Sequence, residues 1–118
     1  MLQAYAIEYA IKGQRANKPK SMGTLYWQLN DAWPAISWSS IDYFGRWKPL
    51  QFMAKRLYPD ISIVYTESKG VSIINDKLYP VNVVALIQLV TFDGEYLLNR
   101  TETVNLAANE VKHLNVDL

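Results

Sequence analysis

The sequence predicts an α+β chain: a helix, strand, loop and helix in the first half, then an antiparallel β-sandwich of immunoglobulin type. Three observations carry this reading. The apolar period changes from helical to alternating near Tyr58-Pro59-Asp60, where proline biases its predecessor towards extended geometry. All four tryptophans, Trp27, Trp33, Trp38 and Trp47, lie before that point. After it, five apolar runs follow one another with turn signals every 8–12 residues.

Residues 2–16 read as a helix. Leu2, Tyr5, Tyr9 and Lys12 follow the 3.6 period, and Ala4, Ile7 and Ile11 broaden the apolar side. Asn17 to Ser21, with Pro19, is a basic turn. Gly23 to Leu29 reads as a short aromatic strand between turn formers. Asn30 to Gly45 is a long loop with Pro34 and paired serines, the kind of segment that often carries function. Trp47 to Tyr58 is a second helix, with Pro49 in its first turn and Leu50, Met53, Ala54 and Leu57 on one face.

In the second half, Ile61 to Glu67 alternates Ile61, Ile63 and Tyr65 against Ser62, Val64 and Thr66. Gly70 to Ile74 is a strand followed by a turn at Asn75-Asp76. Val81 to Phe92 and Tyr96 to Val104 are strands joined at Asp93-Gly94, a hairpin signal. Ala107 to Asn109 is a turn, and Val111, Leu114 and Val116 belong to a last strand. Five strands fall short of the roughly seven of a full sandwich. One strand between two helices cannot close a sheet either, so a fragment of a larger protein is expected.

Composition narrows the function classes. Residues 1–60 carry eight Lys/Arg against four Asp/Glu, and residues 61–118 four against seven, for a net charge of +1 over the 118 residues. No basic excess suited to nucleic acid results. Without cysteine there is no disulfide framework or thiolate site, and with His113 as the one histidine a zinc site is not expected. No metal or cofactor is expected. No apolar run approaches a membrane span, and no secretory leader is visible in the first residues. Asn99-Arg100-Thr101 fits a glycosylation sequon, a triplet that arises often by chance. His113, beside Lys112, reads as an edge residue.

The informative stretch runs from Gly23 to Lys48. It places Trp27, Asn30 and Asp31 at the C-terminal end of the expected strand, with Trp33, Trp38 and Asp42 in the loop beyond. Indole faces stack on the C–H faces of sugars, while amide and carboxylate groups bond hydroxyls. Carbohydrate is one reading; packing of helix on strand is the other.

The order of these residues resembles the end of the catalytic barrel of glycoside hydrolase family 2, within it the β-mannosidases: Gly23-x-x-Tyr26-Trp27-Gln28-Leu29-Asn30-Asp31, then Trp33-Pro34, Ser37-Trp38-Ser39-Ser40, Asp42-Tyr43 and Gly45-Arg46-Trp47-Lys48. Ala32 stands where relatives often have cysteine, a small residue for a small one. The resemblance implies an α+β fragment: residues 1–60 as the last βα unit of a (β/α)8 barrel, and residues 61–118 as an incomplete immunoglobulin-like antiparallel β-sandwich.

It also implies a parent that hydrolyses terminal β-linked mannose with retention, in a periplasmic, secreted or lysosomal setting. Trp27 would be the platform beneath the sugar. Asn30 and Asp31 would line or brace the pocket, and Trp33, Trp38 and Asp42 would lie above it. The family's acid/base and nucleophile are glutamates on earlier barrel strands. Glu8 and the four glutamates from Glu67 to Glu110 sit in none of those motifs, so no catalytic residue is expected here. In the family, a cis peptide follows the platform aromatic; at Trp27–Gln28 trans is expected, because the supporting strands are missing. The expected partners are a mannoside or mannose-containing oligosaccharide, the rest of the parent chain, and further copies of the fragment through its uncovered apolar face; nucleic acid and membrane are not. The alternative is a stand-alone carbohydrate-binding or protein-interaction module.

Overall fold

The computed structural model describes residues 1–115. Helix α1 spans Leu2–Ala16 and α2 Pro49–Leu57; strands follow as β1 (Ile61–Thr66), β2 (Gly70–Asn75), β3 (Val81–Val90), β4 (Tyr96–Leu106) and β5 (Val111–Leu114). Both helices and all five strands lie where the sequence periods place them, within a residue or two at the ends. Val116, assigned above to the last strand, lies outside the described residues.

The strands form two antiparallel sheets. In the first, β2 is central, with β1 on one side (Ile63 opposite Ile73) and β5 on the other (Ile73 opposite Lys112). The second is the β3–β4 hairpin, in register from Val81–Leu106 to Leu89–Leu98. Its turn matches the Asp93-Gly94 signal. Gly94 takes φ +90°, a conformation that costs a residue without Cβ little, and its N–H bonds Thr91 O at 3.0 Å.

Strand β2 is buried along most of its length because each of its faces is covered. Successive strand side chains point to opposite faces. Ile73 therefore joins Ala85, Val104 and Leu106 of the second sheet, while Ile74 joins Ala16 of α1 and Val64 of β1. The order of layers is helices, first sheet, second sheet. Each isoleucine buried this way contributes about 1.5–3 kcal/mol.

In β1 the inward side against the helix is that of Val64, while Ile63 and Tyr65 stay exposed. Ile61 and Ile63 instead line a gap of about 240 Å³ shared with Val83 and Ala85. Asn75, fully buried, fastens the connections: its amide N–H groups reach Tyr79 O (3.0 Å) and Ala107 O (2.7 Å), and its Oδ1 accepts Lys77 N–H at 3.0 Å.

Helix α1 turns Ala4, Ile11 and Ala16 inward and leaves Leu2, Tyr5 and Tyr9 exposed. In α2, Pro49 opens the first turn, where its missing N–H has no helical partner to lose. Leu50, Ala54 and Leu57 form its buried stripe. Buried Arg15 ties the helices to the first sheet. Its guanidinium donates to Leu57 O, to Pro59 O at 2.8 Å and to Asp76 Oδ2 at 2.8 Å, and Lys18 pairs with the other Asp76 oxygen. His113 is exposed at the edge, as expected, with its Nδ1 2.8 Å from Ser72 Oγ.

One expected element is absent. Residues 23–29 form no strand, and Leu25 is fully exposed. A strand exists only as part of a ladder, and no described residue pairs with this stretch before Gln28.

Candidate functional site

The tryptophan-rich segment has little regular structure, yet its backbone is fastened at both ends. Ser40 N–H bonds Gln28 O and Leu29 O, each at 3.1 Å; Ile41 N–H bonds Leu29 O at 2.9 Å; and Asp31 N–H returns to Ile41 O at 3.1 Å. Lys48 N–H bonds Ser40 O at 2.9 Å. Residues 28–31, 40–42 and 46–48 thus lie side by side, with bridges at Asn30–Ile41 and Ile41–Trp47. The Trp27–Gln28 peptide is cis. The trans expectation relied on missing strands for support, whereas this stretch is held from the loop side.

The two carboxylates face inward. Asp31 is buried. One oxygen accepts from Ser37 Oγ, and the other lies 2.9 Å from Lys48 Nζ. The Ser37 and Lys48 hydrogen bonds hold its carboxyl below the usual carboxylate range, more than offsetting its desolvation. Lys48 Nζ also donates to Ser39 Oγ at 2.8 Å and Ser37 Oγ at 3.3 Å. Ser39 Oγ passes its own proton to Ile41 O at 3.0 Å. All three ammonium protons have acceptors.

Asp42 closes the tip of the loop. Its Oδ1 accepts the N–H groups of Phe44 and Arg46, both at 2.9 Å, and its Oδ2 the Arg46 Nε–H at 2.6 Å. Gly45, at φ +79°, supplies the turn. Burial pushes the Asp42 carboxyl up, but the Arg46 backbone and guanidinium bonds overcome this and leave it below its ordinary value.

The aromatic groups face outward. Trp27 is 77% exposed, Trp33 69% and Trp38 72%. Asn30 is exposed too, with its side-chain amide 3.4 Å from Asp31 O. Tyr26 reaches inward instead: its hydroxyl donates to Gln51 Oε1 at 3.3 Å and lies 3.2 Å from Ser40 Oγ. Of the six residues singled out from sequence, four therefore present themselves to solvent, while Asp31 and Asp42 hold the loop that carries them. Lys48, Ser37 and Ser39 were not singled out. A signal did exist: Ser37-Trp38-Ser39 puts two hydroxyls on the side of an extended chain opposite an indole.

Among the described residues, no group of three or more His, Cys, Asp or Glu side chains could hold a metal ion. No described helix is long and apolar enough to cross a membrane.

Comparison with known proteins bears on both halves. Residues 70–117 match the Mannosidase Ig/CBM-like domain family. A β-mannosidase of Mus musculus is 48% identical over 54 residues, which is 46% of this chain and 6% of that protein. β-Mannosidase A of Neosartorya fischeri is 31% identical over 105 residues, or 82% of this chain and 11% of that protein. The crystal structure of a β-D-mannosidase from Dictyoglomus thermophilum superposes with a TM-score of 0.81 at 31% identity, over 95% of this chain and 14% of that one. An Amycolatopsis orientalis exo-chitosanase gives the same TM-score at 22% identity, covering 98% of this chain and 15% of that one, and shares the fold. The chain thus spans about a tenth or less of the length of these curated relatives.

Proposed function

From its homology to part of the glycoside hydrolase family 2 β-mannosidases, we propose that this chain is the end of the catalytic barrel and the start of the following immunoglobulin-like domain of a retaining β-mannosidase, an enzyme that removes terminal β-linked mannose. One observation carries the reading: the loop of residues 27–48 is built inside out. Asp31, Ser39 and Ser40 are buried, Asp42 and Ser37 are half-buried, and all five are hydrogen-bonded, while the indoles of Trp27, Trp33 and Trp38 stand in solvent. A large aromatic surface so exposed on a fastened loop suits a site that another molecule covers.

In this reading Trp27 is the floor beneath the sugar, and Trp33 and Trp38 flank it. The Asn30 amide bonds a hydroxyl. Asp31 and Asp42 act on the sugar through the loop they hold. The nucleophile and acid/base are two glutamates outside this chain, with carboxyls about 5–5.5 Å apart as retention requires. One forms the glycosyl–enzyme bond while the other protonates the departing oxygen. The second then deprotonates the water that releases mannose.

The test is the coding sequence upstream of the codon for Met1, together with turnover by its product. An in-frame barrel carrying two strand-borne glutamates, and hydrolysis of an aryl β-mannoside, are expected. Natural initiation at Met1 behind an in-frame stop codon would contradict the assignment and leave the stand-alone binding module.

A further inference from the structure

Lys48 lies at the last turn before α2, outside the exposed aromatic surface, yet its ammonium reaches back under that surface. Nζ is 2.9 Å from Asp31 Oδ2, 2.8 Å from Ser39 Oγ and 3.3 Å from Ser37 Oγ. Three acceptors match the three protons of an ammonium. Both hydroxyls have acceptors of their own: Ser37 Oγ faces Asp31 Oδ1 and, at 2.9 Å, Ser39 Oγ, and the Ser39 proton goes to Ile41 O. Ser39 N–H in turn bonds Ser37 Oγ at 3.1 Å. Everything that Nζ bonds belongs to the loop; none of it belongs to either sheet.

The geometry of these contacts has one common result. Ser37 and Ser39 are the two chain neighbours of Trp38, and Asp31 lies two residues before Trp33. We propose that Lys48 is a positioning residue for the sugar rim: its single ammonium fixes the backbone on both sides of Trp38 and the start of the segment that carries Trp33. Arginine does not reproduce this, because its planar fork suits two parallel acceptors rather than three arranged about one nitrogen.

The proposal rests on the sugar-rim reading for its purpose, but its contacts are tested on the 118-residue chain alone. The chain has no cysteine, so Lys48→Cys creates a single thiol. Alkylation with 2-bromoethylamine then restores an ammonium of nearly lysine length. In ¹⁵N-labelled protein, the indole N–H resonances of Trp33 and Trp38 are expected to shift and broaden in Lys48→Cys and to return on aminoethylation, while the amide resonances of β2 and β5 stay in place. Ser39→Ala, a milder change, should shift Trp38 alone and keeps the test open where Lys48→Cys fails to fold. Indole resonances unmoved by Lys48→Cys or Ser39→Ala, or not restored by aminoethylation, would overturn the proposal. Lack of β-mannoside hydrolysis by the full-length protein would end the sugar reading and leave the Lys48 contacts standing.

Discussion

Ile73 and Ile74 are consecutive in β2, and they belong to two separate cores. Ile73 packs with Ala85, Val104 and Leu106 between the sheets, and Ile74 with Ala16 and Val64 beneath α1. This alternation joins the helical half of the chain to the sandwich half through one strand while keeping the two cores on opposite faces of it.

Ile74→Ala is expected to cost about 2–5 kcal/mol, the range for truncating a fully buried isoleucine. The two cores should also be separable. In chemical denaturation, Ile74→Ala and Val64→Ala should couple by about 0.5–3 kcal/mol, while Val64→Ala and Leu106→Ala should add within about 0.5 kcal/mol. Equal coupling in both pairs would mean one merged core.

Acid should loosen the loop through Asp31. Its carboxyl titrates below the ordinary value in the folded chain, so the folded state binds its proton less readily than the unfolded state. That stabilisation is complete above the unfolded value of about 3.9 and is lost as pH falls through the lower folded value. The thermal midpoint of Asp31→Asn should lie below that of the unmodified chain at pH 7, and the gap should close on acidification below about pH 4. Parallel curves would show that Asp31 does not carry the linkage.

The isolated 118-residue chain should not hydrolyse an aryl β-mannoside. A general acid of a glycosidase needs a raised pKa, and both Asp31 and Asp42 are lowered. Their oxygens are also engaged with Lys48, Ser37 and Arg46. Turnover by the purified chain, abolished by Asp31→Asn or Asp42→Asn, would contradict this.

Self-association should follow from the uncovered helix faces. Leu2, Tyr5 and Phe52 are exposed around a groove of about 660 Å³ between α1 and α2. Sedimentation should show concentration-dependent association of the chain, weakened in Leu2→Glu/Tyr5→Glu. A monomer at every concentration would refute it.

Much of the fold was legible because period and punctuation agree. The alternation of residues 81–92 and 96–104 about Asp93-Gly94 yields β3 and β4, and Pro49 with the Leu50–Leu57 stripe yields α2. Sheet membership was less legible. Gly23–Leu29 has the composition of a strand but no backbone partner before Gln28, and Ile61, Ile63 and Tyr65 look like a core face until Val64 turns to the helix. At the site, the order of residues picked out the exposed tryptophans and the two aspartates. Lys48 escaped because its partners lie 9 to 17 positions away, beyond any local pattern.

The most direct measurement is steady-state hydrolysis of an aryl β-mannoside by the full-length protein that carries this chain, unmodified and as Trp27→Ala. On the proposed reading, in which Trp27 is the floor beneath the sugar, removing its indole should cost about 2–4 kcal/mol of transition-state binding, a fall in kcat/KM of about 30- to 1,000-fold. The first-formed product should be β-mannose. An unmodified protein without turnover, or a Trp27→Ala protein with unaltered kcat/KM, would contradict the assignment of this loop to the sugar site.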